Sequence, residues 1–88
     1  MDKMYLHIGN NKIIRVKDVI GIFDADTATV SKTTRAYLSE KEKKGLLTTA
    51  TDEVPRAFVL YGDKKEENIC FSLLSAKTLA NRNEKYNG

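Results

Sequence analysis

The chain is 88 residues long and carries 15 basic and 12 acidic side chains, a formal charge of +3, with 41% hydrophobic and 31% charged residues. This length accommodates one domain, which buries roughly 60–65% of the surface its unfolded chain exposes, so the core is small. One cysteine and one histidine exclude an intrachain disulfide, a thiolate metal cluster and most histidine-paired triads, and no apolar run approaches the ~18 residues of a membrane span.

Met4, Leu6 and Ile8 alternate with Tyr5 and His7, the period of a half-buried strand. Gly9-Asn10-Asn11 follows as a turn, because glycine and asparagine tolerate positive φ. Lys12-Ile13-Ile14-Arg15-Val16 then returns as the second strand of a hairpin. Val19-Ile20-Gly21-Ile22-Phe23 is nearly continuously apolar and predicts a third strand buried on both faces. Asp26 or Thr27 is placed to cap a helix. The spacing of Val30, Tyr37 and Leu38 carries that helix over 28–44, about four turns. Glu40 and Lys44 stand one turn apart as a favourable pair, and Gly45 follows as the residue beyond the helix end.

Residues 46–51 predict a short edge strand or a loop, and Pro55 punctuates a connection. Residues 56–61 and 69–74 form a second hairpin across the charged loop 62–68. Ser75 caps a short last helix carrying Ala76, Leu79 and Ala80. A single domain of 1–83 is followed by a flexible polar tail at 84–88. The sum is an α+β domain: a small, antiparallel-rich sheet of five to six short strands, one long central helix and a short C-terminal helix. Such a sheet keeps open edges, and a β-branched edge invites a strand from another copy. A homo-oligomer is the expected state.

The chemistry-bearing residues are sparse. His7 faces away from Leu6 and Ile8 with no nucleophile or orienting carboxylate in a motif beside it, so it is a surface or interface histidine. Cys70, between Ile69 and Phe71, is a buried, inert thiol. Asp24 and Asp26 have the spacing of half a cation loop but lack its glycine and distant glutamate, which leaves helix capping. No catalytic residue, metal, cofactor or small-molecule substrate is expected. Lys41, Lys43 and Lys44 are diluted by Glu40 and Glu42 and form a solvated helix end. A separate set, Lys12, Arg15, Lys17 and Arg56, gathers if the second strand comes close to the segment around 56. It would then grip phosphates through charge-assisted hydrogen bonds. The sequence pI near 9.0 permits a polyanionic partner without requiring one.

Three segments resemble a known family: Met4-Tyr5-Leu6-His7-Ile8-Gly9-Asn10, then Ile20-Gly21-Ile22-Phe23-Asp24, and the closing Leu73-Leu74-Ser75-Ala76-Lys77-Thr78-Leu79. In order, they resemble the extracellular-matrix regulator family of Gram-positive bacteria, RemA and RemB. The resemblance covers the chain from Met4 to about Arg82, the central helix matching in kind more than in letter. It implies a non-enzymatic cytoplasmic regulator of biofilm-matrix gene expression and, in the RemA branch, DNA binding by ring-shaped oligomers. Repetition has a physical logic: once one subunit is seated, its weak phosphate contacts hold the others at high effective concentration.

The DNA-binding branch has an arginine just before the third strand, where this chain has Asp18 beside Lys17. It also has an arginine cluster where this chain has Glu53-Val54-Pro55-Arg56. The tyrosine–histidine opening and the Ile-Phe-Asp segment resemble the RemB branch more closely. The expected function is that of an oligomeric RemB-type regulator, with Lys12, Arg15, Lys17 and Arg56 on the phosphates of double-stranded DNA. The alternative is a protein-interaction or assembly module without nucleic-acid contact and without a membrane partner.

Overall fold

The computed structural model describes residues 5–63 and 65–87, with the backbone alone given at 84–87. Strands β1 (Tyr5–Gly9) and β2 (Lys12–Arg15) form the expected antiparallel hairpin, with Leu6 opposite Ile14 and His7 opposite Ile13. Asn10 and Asn11 take φ of 49° and 64°, the two left-handed residues of a tight turn whose twist matches that of the strands it joins. Leu6, Ile8 and Ile14 are buried on one side; Met4, expected to join them, lies outside the described residues, as do Lys64 of the second loop and Gly88 of the tail.

One turn of 3-10 helix, Val16–Asp18, leads into β3 (Val19–Asp24). Then follow α1 (Ala25–Ala28), α2 (Lys32–Lys43), β4 (Leu47–Thr49), β5 (Ala57–Gly62), β6 (Glu67–Ser72) and α3 (Ala76–Asn87). The last four strands build a sheet of order β3-β5-β6-β4, antiparallel except where β4 runs parallel to β6. The α+β class and its six strands are as the sequence predicts. The last helix continues to Asn87, so its backbone takes in four residues of the 84–88 segment set aside as a tail.

Side chains alternate across β5 and β6 and separate two clusters. Ala57, Val59 and Cys70 meet Leu6, Ile8, Ile14, Val16 and Leu79 on the face covered by the hairpin and α3. Phe58 and Ile69 meet Ala25 and Leu38 on the face covered by α1 and α2. The central strands are therefore buried on both faces in a three-layer arrangement, and that burial of apolar area is the main stabilising term.

Two details are corrected. The third strand is not buried on both faces: β3 is an edge, and Ile20 and Phe23 remain 50% and 41% exposed. An apolar run records only that its residues resist water, and strand order is decided by which neighbours pair. The long central helix forms, but it begins at Lys32 rather than at 28, and the separate turn α1 precedes it. Asp24, rather than Asp26 or Thr27, caps the first turn by accepting the Thr27 amide at 3.0 Å. Ser31 starts α2 afresh by accepting the Thr34 amide at 3.3 Å. Between them Arg35 Nη1 donates to the carbonyls of Thr29 and Val30 at 2.8 and 3.0 Å. Hydroxyl and carboxylate side chains compete with the helical ladder in this stretch, and Val30, counted on the buried stripe, stands 76% exposed in the break.

The far end of α2 is as expected. Lys44 is the C-cap, the Gly45 amide reaches the Glu42 carbonyl at 3.0 Å, and the Leu46 amide reaches that of Lys41 at 2.9 Å, which satisfies two orphan acceptors of the last turn.

Candidate nucleic-acid and assembly surface

All four basic residues singled out by the sequence are exposed, but a single copy sorts them into two pairs. Lys12 stands opposite Gly9 at the turn end of the hairpin. Arg56 is anchored at the same end: its amide donates to the Ser72 carbonyl at 2.9 Å, and the Ser72 hydroxyl reaches Ile8 at 2.7 Å. Arg15 stands opposite Tyr5 at the other end of the hairpin, with Lys17 in the turn after it. In the main sheet Val19 pairs with Tyr61 and Asp24 with Ala57. Lys17 and Arg56 thus flank opposite ends of the β3–β5 pair, about 17 Å of strand apart at ~3.4 Å per residue.

Arg15 has a partner. Its Nε donates to Asp18 Oδ2 at 2.8 Å, with the two side chains 56% and 27% exposed. The other ion pair among the described residues is Lys44 with Glu40 at 2.9 Å, and the lysine's hydrogen bond holds the Glu40 carboxyl below its ordinary range. Glu53 takes part in neither; its amide donates to Thr51 Oγ1 at 3.0 Å. Lys41 lies over the Tyr37 ring, 5.4 Å from its centre. Part of the α2 lysine run is thus spent on local contacts, as a solvated helix end would be.

The apolar chemistry of the surface was not legible in the sequence. A groove of about 250 Å³ opens between the β3 edge and α2, walled by Phe23, Phe58, Leu60 and Tyr37. Phe23 stacks on Phe58 at 5.2 Å between ring centres, and Phe58 meets Phe71 edge-on at 5.6 Å, geometries that favour aromatic pairs beyond simple burial. The Tyr37 hydroxyl donates to Glu67 Oε1 at 2.6 Å. Burial first, and then this carboxylate, push the phenol up to about 12. The only hint in the sequence was a glycine two residues before a phenylalanine, Gly21 and Phe23, in an apolar strand.

His7 is exposed on β1, and its carbonyl accepts Arg82 Nη1 at 3.2 Å. Cys70 is buried as expected, and burial pushes its thiol up, away from the reactive thiolate. Among the described residues no group of three or more His, Cys, Asp or Glu side chains gathers to hold a metal ion, and no helix is long and apolar enough to cross a membrane.

Fold and surface together define a small α+β domain whose exposed chemistry is scattered positive charge, an open strand edge and an aromatic groove. No protein-family model matches it. The chain is 30% identical over 79 residues, 90% of its own length, to extracellular matrix regulatory protein B of Bacillus subtilis (strain 168), of which the match covers 89%. It belongs to that extracellular-matrix regulatory family.

Proposed function

We propose that this chain is a non-enzymatic, oligomeric regulator of extracellular-matrix gene expression, acting in the cytoplasm and touching double-stranded DNA through its phosphates. The observation that carries the reading is the relationship to extracellular matrix regulatory protein B, which spans nearly the whole of both chains. The exposure of Lys12, Lys17 and Arg56 supports it as well. One copy offers two small basic pairs at opposite ends, too few for firm binding. Several copies held together repeat them along a bent duplex, where backbone contacts suffice without base reading.

The test is fluorescence anisotropy of a labelled duplex titrated with the protein at several salt concentrations. A complex at low salt that weakens steeply as salt rises is expected, with Lys17→Ala lowering the slope of log affinity by roughly 0.9 for each phosphate that Lys17 neutralises. No complex with any duplex at low salt would overturn DNA binding, and a strict monomer in light scattering would overturn the oligomer.

A second reading, an assembly module with no nucleic-acid partner, is favoured by one observation. Arg15 is already neutralised by Asp18, so one of the four cations is engaged within its own chain.

A further inference from the structure

The two walls of the groove between β3 and α2 are fixed before anything enters it. On the β3 side the Phe23 ring stacks on Phe58, 5.2 Å between centres and 26° from parallel. It also folds back over Gly21, where an added Cβ would lie 2.8 Å from two of its ring carbons. Gly21 has no positive φ to accommodate, so this glycine serves the ring and not the backbone. A glycine weakens a strand, and one inside it marks a close approach. On the α2 side the Tyr37 hydroxyl is held by Glu67 at 2.6 Å and Lys41 lies over the ring. Phe23 nonetheless keeps 41% exposure.

The lining selects a chemistry. Ala28, Thr33 and Thr34 complete it, and none of the lining side chains carries a charge. An ion entering the groove would lose its water without gaining a counter-ion there, so charge complementarity calls for a neutral occupant. Rings on both walls favour another ring, because aromatic pairs gain beyond simple burial when stacked or edge-on. The threonines supply the polar component. The Thr34 amide is taken by Ser31, but neither threonine hydroxyl has a hydrogen-bond partner among the described residues. A volume of about 250 Å³ falls below the ~300–1,000 Å³ of sites for drug-sized molecules, which limits the occupant to one or two rings.

We propose that this groove binds a small, neutral, planar aromatic molecule whose single N–H or O–H is accepted by the hydroxyl of Thr33 or Thr34. The proposal goes beyond the regulatory reading and needs neither DNA nor assembly. Because the walls are already held, the ligand orders little on entering, which favours binding by so small a molecule.

The probe is indole, titrated against the full chain. The chain contains no tryptophan, so the fluorescence of added indole reports its own surroundings. A saturable blue shift at one indole per chain is expected. Phe23→Ala removes a wall. Gly21→Ala pushes the ring off its seat while suiting a strand better than glycine does. Each should weaken indole about tenfold, with far-UV circular dichroism unchanged. Replacing both hydroxyls, Thr33→Val with Thr34→Val, should weaken indole severalfold and leave 1-methylindole, which has no donor, unaffected. No saturable shift, or equal affinity in wild type and both wall variants, would overturn the proposal. Tighter binding of indole-3-acetate than of indole would overturn it in favour of an anion site. Tighter binding of N-acetyltryptophanamide would give the groove to a partner's side chain instead, and dissociation of an assembled protein by indole, seen in light scattering, would give it to a second copy.

Discussion

The hydroxyl of Ser72 donates to the carbonyl of Ile8 across 2.7 Å and accepts the amide of Leu74 at 3.0 Å, joining the first strand to the end of the last through a side chain with no solvent exposure. Ile8 needs that partner. The β1–β2 register shifts between His7 and Gly9 and leaves Ile8 as the extra residue of a bulge, and a bulged residue loses its place in the ladder. Removing the hydroxyl by Ser72→Ala leaves a buried carbonyl and a partly buried amide without their partner. The expected loss is about 1–3 kcal/mol, seen as a lower urea midpoint at unchanged slope.

Gly45 and Gly62 both have positive φ, 74° and 125°, but only one is crowded. An added Cβ at Gly45 meets nothing within 4 Å, whereas at Gly62 it runs into the carbonyl of Glu66. Gly45→Ala should therefore show only the left-handed backbone penalty of about 1–2 kcal/mol. Gly62→Ala should destabilise by more, because backbone in the β5–β6 loop must move. Thermal unfolding of the two variants side by side checks the order.

Tyr37 is expected to ionise well after an ordinary tyrosine, because its folded-state value is raised from 10.0 to about 12. The folded protein keeps this proton while the unfolded chain releases it. The stabilising contribution is thus complete below pH 10 and fades as pH rises toward 12. Ultraviolet titration should show a late-ionising tyrosine that disappears in Tyr37→Phe. Glu67→Gln should bring it only part of the way down, since burial is the larger cause and the carboxylate the smaller.

Arg15 and Asp18 are an exposed pair three residues apart, a geometry worth at most about 1 kcal/mol. Asp18→Asn should change stability little. It should nonetheless raise duplex affinity severalfold at low salt, by freeing a guanidinium and removing a like charge from the phosphates' path. Anisotropy with wild type and Asp18→Asn at matched salt measures it; an unchanged affinity would place Arg15 off the DNA.

Much of this molecule is written locally. The first hairpin follows from Asn10-Asn11 between alternating residues, the stop of α2 from lysines ahead of Gly45, and the second hairpin from two apolar runs around a charged loop. Each depends on dihedral preference or side-chain period within a few residues, and such terms are carried by the chain wherever it goes. The burial of Cys70 was legible for the same reason, since its immediate neighbours are apolar.

Position within the sheet is another matter. Ile20 and Phe23 have the composition of a central strand yet lie at an edge, and β4, three residues long, closes the opposite side by pairing in parallel with β6. Strand order, the division of Lys12 and Arg56 from Arg15 and Lys17, the Ser72–Ile8 bond across 64 positions and the aromatic groove all arise from pairings between distant segments. Those pairings are selected by which faces bury together in three dimensions, a comparison among whole arrangements of the chain that no short window of sequence contains.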